Sequence, residues 1–333
     1  MYSPEKKMEI LKDLDLVRIM DETLTKPHFE GASKNTYNPS TASVLVKGKF
    51  TNYVIGSCHR ELFYLMKGIP YSNPFTPEYK LAAELGKMVE NYAVQCFREA
   101  NILDAPSLFG RQPAVWVGEH LLSGFVDAVV EHKESSSLIV VEIKSFAGHY
   151  KHRQIMGHSN GKRGSKAIWT PGQPVGEHLI QLGIYLHAFR ERLEGAKLFY
   201  FARDTTDRKQ FDLYLEYEDL EDDFYLFDVN NKQRIDWFSI KSIYSRFSQL
   251  RSYIDNNVLP PRDFSREYTI EQLENLYQET ISAPNGSPAL YLLAKSTYEE
   301  GKDLYEKEGL TGKGDWRCNK CTYRNLCWSK ENG

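Results

Sequence analysis

Apolar residues recur with helical spacing in some stretches of this chain and alternate in others, and the switch between the two periods outlines a fold. Residues 4 to 26 read as a polar N-terminal helix, and Leu45 to Lys67 as a second helical stretch that carries Cys58, His59 and Arg60. A helix predicted from about Tyr79 to Ala100 sets Leu85, Met88, Tyr92 and Cys96 on one apolar stripe, with Glu90 off the stripe near Gly86 and Phe97. Two β-branched runs follow, Gly124 to Val130 and Leu138 to Lys144, and the polar run from Glu131 to Ser137 suits a hairpin between them. A strand's period of two puts Glu142 and Lys144 on one face of the second run and Val141 and Ile143 on the other. Glu177 to Arg190 returns to helical spacing, with Leu179, Leu182, Leu186 and Phe189 on one face and His178, Gln181 and Tyr185 on a separate polar stripe. Ala196 to Ala202 and Gln210 to Tyr217 predict another hairpin. A long helix carrying Ile240, Ile243, Phe247, Leu250 and Ile254 is stopped by Pro260-Pro261.

Residues 265 to 312 read as polar helix with a break at Pro284-Asn285-Gly286, ahead of a cysteine-rich tail. The order of elements fits one α/β or α+β domain with helical additions. The expected division is an N-terminal appendage over 1–44, a core over 45–264, a helical insertion over 265–315 and a tail over 316–333. Of the 333 residues 41% are hydrophobic and 26% charged, the balance of a globular protein. No run approaches the roughly 18 to 20 apolar residues of a membrane span, and the opening residues Met1 to Lys7 lack the apolar segment of a signal peptide. A cytoplasmic protein with free thiols and no membrane partner is therefore expected. The net charge of −3 argues against indiscriminate coating of nucleic acid. One stretch runs the other way: from Lys144 to Gly176 there is no acidic residue, while Lys151, Arg153, Lys162, Arg163 and Lys166 accumulate. It reads either as a solvated loop or as a local nucleic-acid contact.

Asp127, Glu142 and Lys144 form the first candidate constellation. Two carboxylates on adjacent strands can hold a hard divalent cation through oxygen, and a lysine beside them can orient an attacking water. A Glu-x-Lys strand is also a common ion-pairing face, but here the charges interrupt strongly apolar runs, where an unpaired carboxylate is costly. Glu90 is a candidate third carboxylate, and Gln181 and Tyr185, four apart, share one helical face. The cysteines form the second constellation. Cys318-x2-Cys321-x5-Cys327 is a compact ligand cluster to which Cys58 could add a fourth thiolate, and by spacing alone zinc is as good an occupant as an iron–sulfur cluster. Cys96, on an apolar helical stripe, reads as core.

In this order the pieces resemble the RecB-like branch of the PD-(D/E)XK nucleases. The similarity is greatest to its iron–sulfur members: AddB-type nuclease domains, CRISPR-associated adaptation exonucleases and the nuclease domains of eukaryotic replication helicase–nucleases. Cys58-His59-Arg60-Glu61-Leu62-Phe63-Tyr64 is similar to the first cysteine segment, and Gly86-Lys87-Met88-Val89-Glu90 to the helical motif. Gly124-Phe125-Val126-Asp127 and Val141-Glu142-Ile143-Lys144-Ser145 resemble the two active-site strands. His178 to Tyr185 resembles the Q-x3-Y helix, and the tail the terminal cysteine triad. The likeness covers roughly 45–264 and 316–329. Many members carry histidine then glutamate where this chain has Glu90-Asn91, and the roughly fifty residues between Pro261 and the triad exceed those of compact members.

The resemblance implies a restriction-endonuclease-like mixed sheet flanked by helices. It implies Mg²⁺ or Mn²⁺ on Glu90, Asp127, Glu142 and the Ile143 carbonyl, with Lys144 positioning water and Gln181 and Tyr185 orienting the strand. It also implies a [4Fe–4S] cluster on Cys58, Cys318, Cys321 and Cys327, with Zn²⁺ the alternative. The expected activity is that of a DNA exonuclease, with endonuclease activity as a further option, which prefers single strands to duplex and serves replication, recombination or repair. With no Gly-x4-Gly-Lys-Ser/Thr loop in the sequence, unwinding would fall to a helicase or recombination partner. Two other readings stand beside it. One is a non-catalytic DNA-binding or adaptor protein that keeps the fold, against which the intact Asp127, Glu142 and Lys144 argue. The other is a zinc-stabilised scaffold with no nucleic-acid role.

Overall fold

A computed structural model describes residues 2–16, 18–19, 39–73, 77–104, 106, 112–117, 122–159, 169–282 and 288–329. Along the chain run α1 (Pro4–Asp13), the hairpin β1–β2 (Ser43–Val46 and Tyr53–Gly56), α2 (His59–Met66) and α3 (Pro77–Glu99). The hairpin β3–β4 (Ala114–Val117 and Leu122–Phe125) comes next, then β5 (Ala128–His132), β6 (Ser137–Phe146) and α4 (His149–Met156). The short pair β7 (Gly157–Ser159) and β8 (Trp169–Pro171) precedes α5 (Gly176–Ala188). Strands β9 (Leu193–Ala202), β10 (Arg208–Glu218), β11 (Asp223–Asp228) and β12 (Gln233–Arg234) follow. The remainder is helical: α6 (Ile240–Asp255), α7 (Ile270–Ser282), α8 (Pro288–Glu308), α9 (Trp316–Lys320) and α10 (Arg324–Cys327). Contacts divide the chain into two compact units, Met1–Ala42 with Pro77–Ser245 and Ser43–Thr76 with Arg246–Gly333. Among the described residues no helix is long and apolar enough to cross a membrane.

The first unit is mixed α/β. Its six-stranded sheet has the order β12-β11-β10-β9-β6-β5 and is flanked by helices. β6 and β9 are parallel and every other pairing is antiparallel. A parallel pair needs a crossover, and the segment containing α4 and α5 supplies it. One face of the sheet holds an apolar cluster in which Val141 and Ile143 meet Phe97 and Cys96 of α3 and Ile10 and Leu11 of α1. α5 is enclosed: every residue from Leu179 to Leu186 is buried. A Cβ on its Gly183 would stand 2.2 Å from the Phe238 ring, so only glycine admits that approach.

Several expectations need correction. α1 ends at Asp13, and its Ile10 and Leu11 belong to the core, so this helix is no appendage; residues 20–26 of the expected helix lie outside the described residues. Leu45 to Lys67 is a β-hairpin followed by a helix, not helix throughout. Gly124 to Val130 is broken at Val126-Asp127 into two strands that pair with different partners. On α3, Leu85 and Met88 are exposed, and the buried face is Ala93, Cys96 and Phe97. The break at Pro284-Asn285-Gly286 lies outside the described residues.

In the second unit α7 and α8 pair, with Tyr277 and Tyr298 stacked at 5.4 Å. The Glu279 carboxylate of α7 accepts from Lys49 N at 3.0 Å and Phe50 N at 2.6 Å, holding the turn of β1–β2. Asp263 accepts from His59 N and from Arg246, at 2.7 and 2.8 Å, and so fixes the start of α2.

Candidate active site and candidate metal centre

The break between β4 and β5 positions Asp127. Ala128 pairs with Val141, so Asp127 stands level with Glu142, and its Oδ2 accepts from Ile143 N at 2.7 Å. Glu142 is wholly buried. Its Oε1 accepts from Lys144 Nζ at 2.6 Å and from Gln181 Nε2 at 2.7 Å, while its Oε2 has no hydrogen-bond partner. Gln181 Nε2 also donates to the Tyr185 hydroxyl at 3.0 Å, which donates to the Phe125 carbonyl at 2.9 Å. Gln181 and Tyr185 are thus buried behind Glu142 and tie α5 to the strand leading into Asp127. Glu90 of α3 accepts from Gln112 Nε2 at 3.2 Å and lies near enough to Asp127 and Lys144 to feel their charge. The structure therefore gathers all six candidate side chains. Gln112 was not foreseen, because nothing in its local sequence marks a residue whose partner is 22 positions away.

Electrostatics at this cluster favour a cation. Burial first, then the Asp127 charge, pushes the carboxyls of Glu90 and Glu142 up, Glu90 to about 7. Burial also raises Asp127 against the pull of Lys144 and the Ile143 amide. Burial alone would lower the Lys144 ammonium, but Glu142, Asp127 and Glu90 outweigh it and leave its pKa raised. Three carboxyl groups thus face one ammonium in low dielectric. The orphaned Glu142 Oε2 is the oxygen left for a metal, and an all-oxygen set suits Mg²⁺ or Mn²⁺. Among the described residues no group of three or more His, Cys, Asp or Glu side chains is drawn together closely enough to hold a metal ion, at this cluster or among the cysteines.

α4 follows directly on the strand carrying Lys144; its Lys151 is exposed and its Arg153 half-buried. Lys162, Arg163 and Lys166 lie outside the described residues. His178, on the polar stripe of α5, meets the Tyr200 hydroxyl at 2.8 Å, and burial holds it well below its ordinary value.

The second unit brings Cys58, Cys318, Cys321 and Cys327 to the lining of one pocket. Cys58 precedes α2, Cys318 and Cys321 lie at α9, and Cys327 ends α10. The tail is pinned in place by Asn73 N to Thr322 O at 2.8 Å, Asn325 N to Asn73 Oδ1 at 2.9 Å and Arg262 Nη2 to Cys327 O at 2.6 Å. Tyr323 packs its ring against Tyr64 and Tyr71. All four cysteines are free thiols. Burial pushes Cys58 up, and Cys318 and Cys321 up to about 12, with the neighbouring sulfurs contributing. Thiols pushed up in this way, as Cys58, Cys318 and Cys321 are, suit a thiophilic metal, whose charge displaces their protons. Cys96 is buried in the core of the first unit.

No protein-family model matches the chain, and no curated protein does. A solved structure titled "Crystal structure of SSO0001" is similar over 84% of this chain and 96% of its own, at 14% identity and a TM-score of 0.29. That likeness is too weak to carry an argument.

Proposed function

We propose that the chain is a metal-dependent DNA nuclease of the PD-(D/E)XK superfamily, in its RecB-like iron–sulfur branch, with the first unit as a restriction-endonuclease-like core. The observation that carries the reading is Glu142: a wholly buried carboxylate with one oxygen held by Lys144 and Gln181 and the other without a partner. Asp127, Glu142, Glu90 and the Ile143 carbonyl are the groups that would hold Mg²⁺ or Mn²⁺. Once bound, the ion supplies charge stabilisation at the scissile phosphate and a more acidic water.

The chain's own residues do the rest. Lys144, kept as an ammonium by three carboxyl groups, donates a hydrogen bond that positions the attacking water and offsets charge growing on the phosphate. Gln181 and Tyr185 act through Glu142, fixing the rotamer of its carboxylate from behind. Lys151 and Arg153, continued in sequence by Lys162, Arg163 and Lys166, supply phosphate contacts. Single-stranded DNA is the preferred substrate, and unwinding is left to a helicase or recombination partner. The four thiols would hold a [4Fe–4S] cluster, or Zn²⁺ in the alternative, as a clip between Cys58 and the tail.

The test is digestion of end-labelled single- and double-stranded DNA with Mn²⁺ and with chelator. Metal-dependent shortening of the single strand is expected; no cleavage of either substrate at any metal concentration refutes the reading.

A further inference from the structure

From Trp316 to Lys330 the sequence has no acidic residue, yet it holds Arg317, Lys320, Arg324 and Lys330 in a chain whose net charge is −3. The local structure sets two of those cations, Arg317 and Lys320, beside an open ring. Trp316 opens α9 and is 57% exposed. The Arg317 guanidinium lies 4.8 Å from the Phe264 ring centroid and 4.9 Å from that of Trp316, and Lys320 Nζ lies 5.7 Å from the same indole. Asp315 pairs with Arg317 Nη1 at 3.5 Å and also accepts from Arg317 N at 2.8 Å and the Tyr268 hydroxyl at 3.2 Å, and its side chain is 13% exposed, so Lys320 is the cation offered to a ligand here. The Asp315 amide donates to Ser265 O at 2.8 Å, so the start of α9, and Trp316 with it, is fixed to the second unit.

We infer that Trp316 and Lys320 form a binding surface for a single-stranded nucleic acid, with one base stacked on the indole and the adjoining phosphate at the ammonium. An aromatic face flanked by cations is the chemistry that single strands select, since every base has a π-face and every step a charge. A protein partner would call for aliphatic area around the indole, whereas Arg317 and Lys320 stand beside it. This surface contains no residue of the carboxylate–lysine cluster, and it stands or falls separately from the cleavage reading.

The experiment measures binding of fluorescent (dT)20 and (rU)20 to the full-length, metal-loaded protein without added divalent ion. Trp316→Ala should weaken binding of the single strand on the order of tenfold, and Trp316→Phe should restore most of it. Lys320→Ala should reduce the slope of log Kd against log salt by roughly 0.7. Whether (dT)20 or (rU)20 binds more tightly identifies the nucleic acid. Two results overturn the proposal: neither oligonucleotide binds the wild-type protein, or Trp316→Ala and Lys320→Ala both match it in affinity and salt slope.

Discussion

Glu142 concentrates the chemistry of the first unit. A buried carboxylate needs partners for both oxygens, and here only one has them. Because Glu90, Asp127 and Glu142 are all pushed up, the folded chain binds protons there more tightly than the unfolded chain does. Their contribution to stability is therefore full below the ordinary carboxylate range and is lost as pH rises through the elevated values, about 7 for Glu90. A divalent cation competes with those protons. The gain in Tm on adding Mn²⁺ should be larger at pH 8 than at pH 6 and should largely vanish in Glu142→Gln. Scanning calorimetry checks this, and an equal gain at both pH values would contradict it. Much of this cluster was legible in the sequence. Alternation placed Glu142 with Lys144, and a spacing of four placed Gln181 with Tyr185. The partners that come from distant segments, Gln112 for Glu90 and Tyr200 for His178, were not, since only the tertiary fold sets them.

α5 shows how an element can be read correctly and still be underestimated. Its helical spacing was plain, but a one-sided apolar stripe does not convey that every residue from Leu179 to Leu186 is buried or that Gln181 and Tyr185 bond to each other, to Glu142 and to the Phe125 carbonyl. Gly183 is where this matters most. Gly183→Ala would gain helix propensity in solvent, but here its methyl enters the Phe238 ring, so the variant should be destabilised by roughly 1–3 kcal/mol. Urea denaturation decides it; stabilisation would mean that the helix and Phe238 separate easily. α3 failed in the opposite sense. Its large apolar residues Leu85 and Met88 are exposed, and the packed face lies further along the helix at Ala93, Cys96 and Phe97. The β1–β2 hairpin escaped notice because its strands are four residues each, too short to establish a period.

For the chain as a whole, the cysteines lining one pocket come from segments more than 250 positions apart in the sequence, which the hydrogen bond from Asn325 N to Asn73 also joins. If the four thiols share one centre, Cys58→Ala and Cys321→Ala should each lose the metal and free the tail to proteases, while Cys96→Ala should keep it at a cost on the order of 1 kcal/mol. Metal analysis identifies the occupant: about four irons with sulfide for the cluster, or about one zinc for the alternative. Full metal content in Cys58→Ala would show that Cys58 is not a ligand. The order of motifs set Cys58 beside the tail cysteines, and all four line one pocket, whereas the division into two units, with α2 and the tail in one and the carboxylates in the other, could not be read from local pattern. What remains is whether Asp127 and Lys144 cut DNA. Single-turnover cleavage of an end-labelled single strand in Mn²⁺, with affinity for the same strand measured alongside, puts the question to wild type, Asp127→Ala and Lys144→Ala. Both variants should bind within a few-fold of wild type and cleave at least about 100-fold more slowly; wild-type cleavage by either one would contradict the assignment.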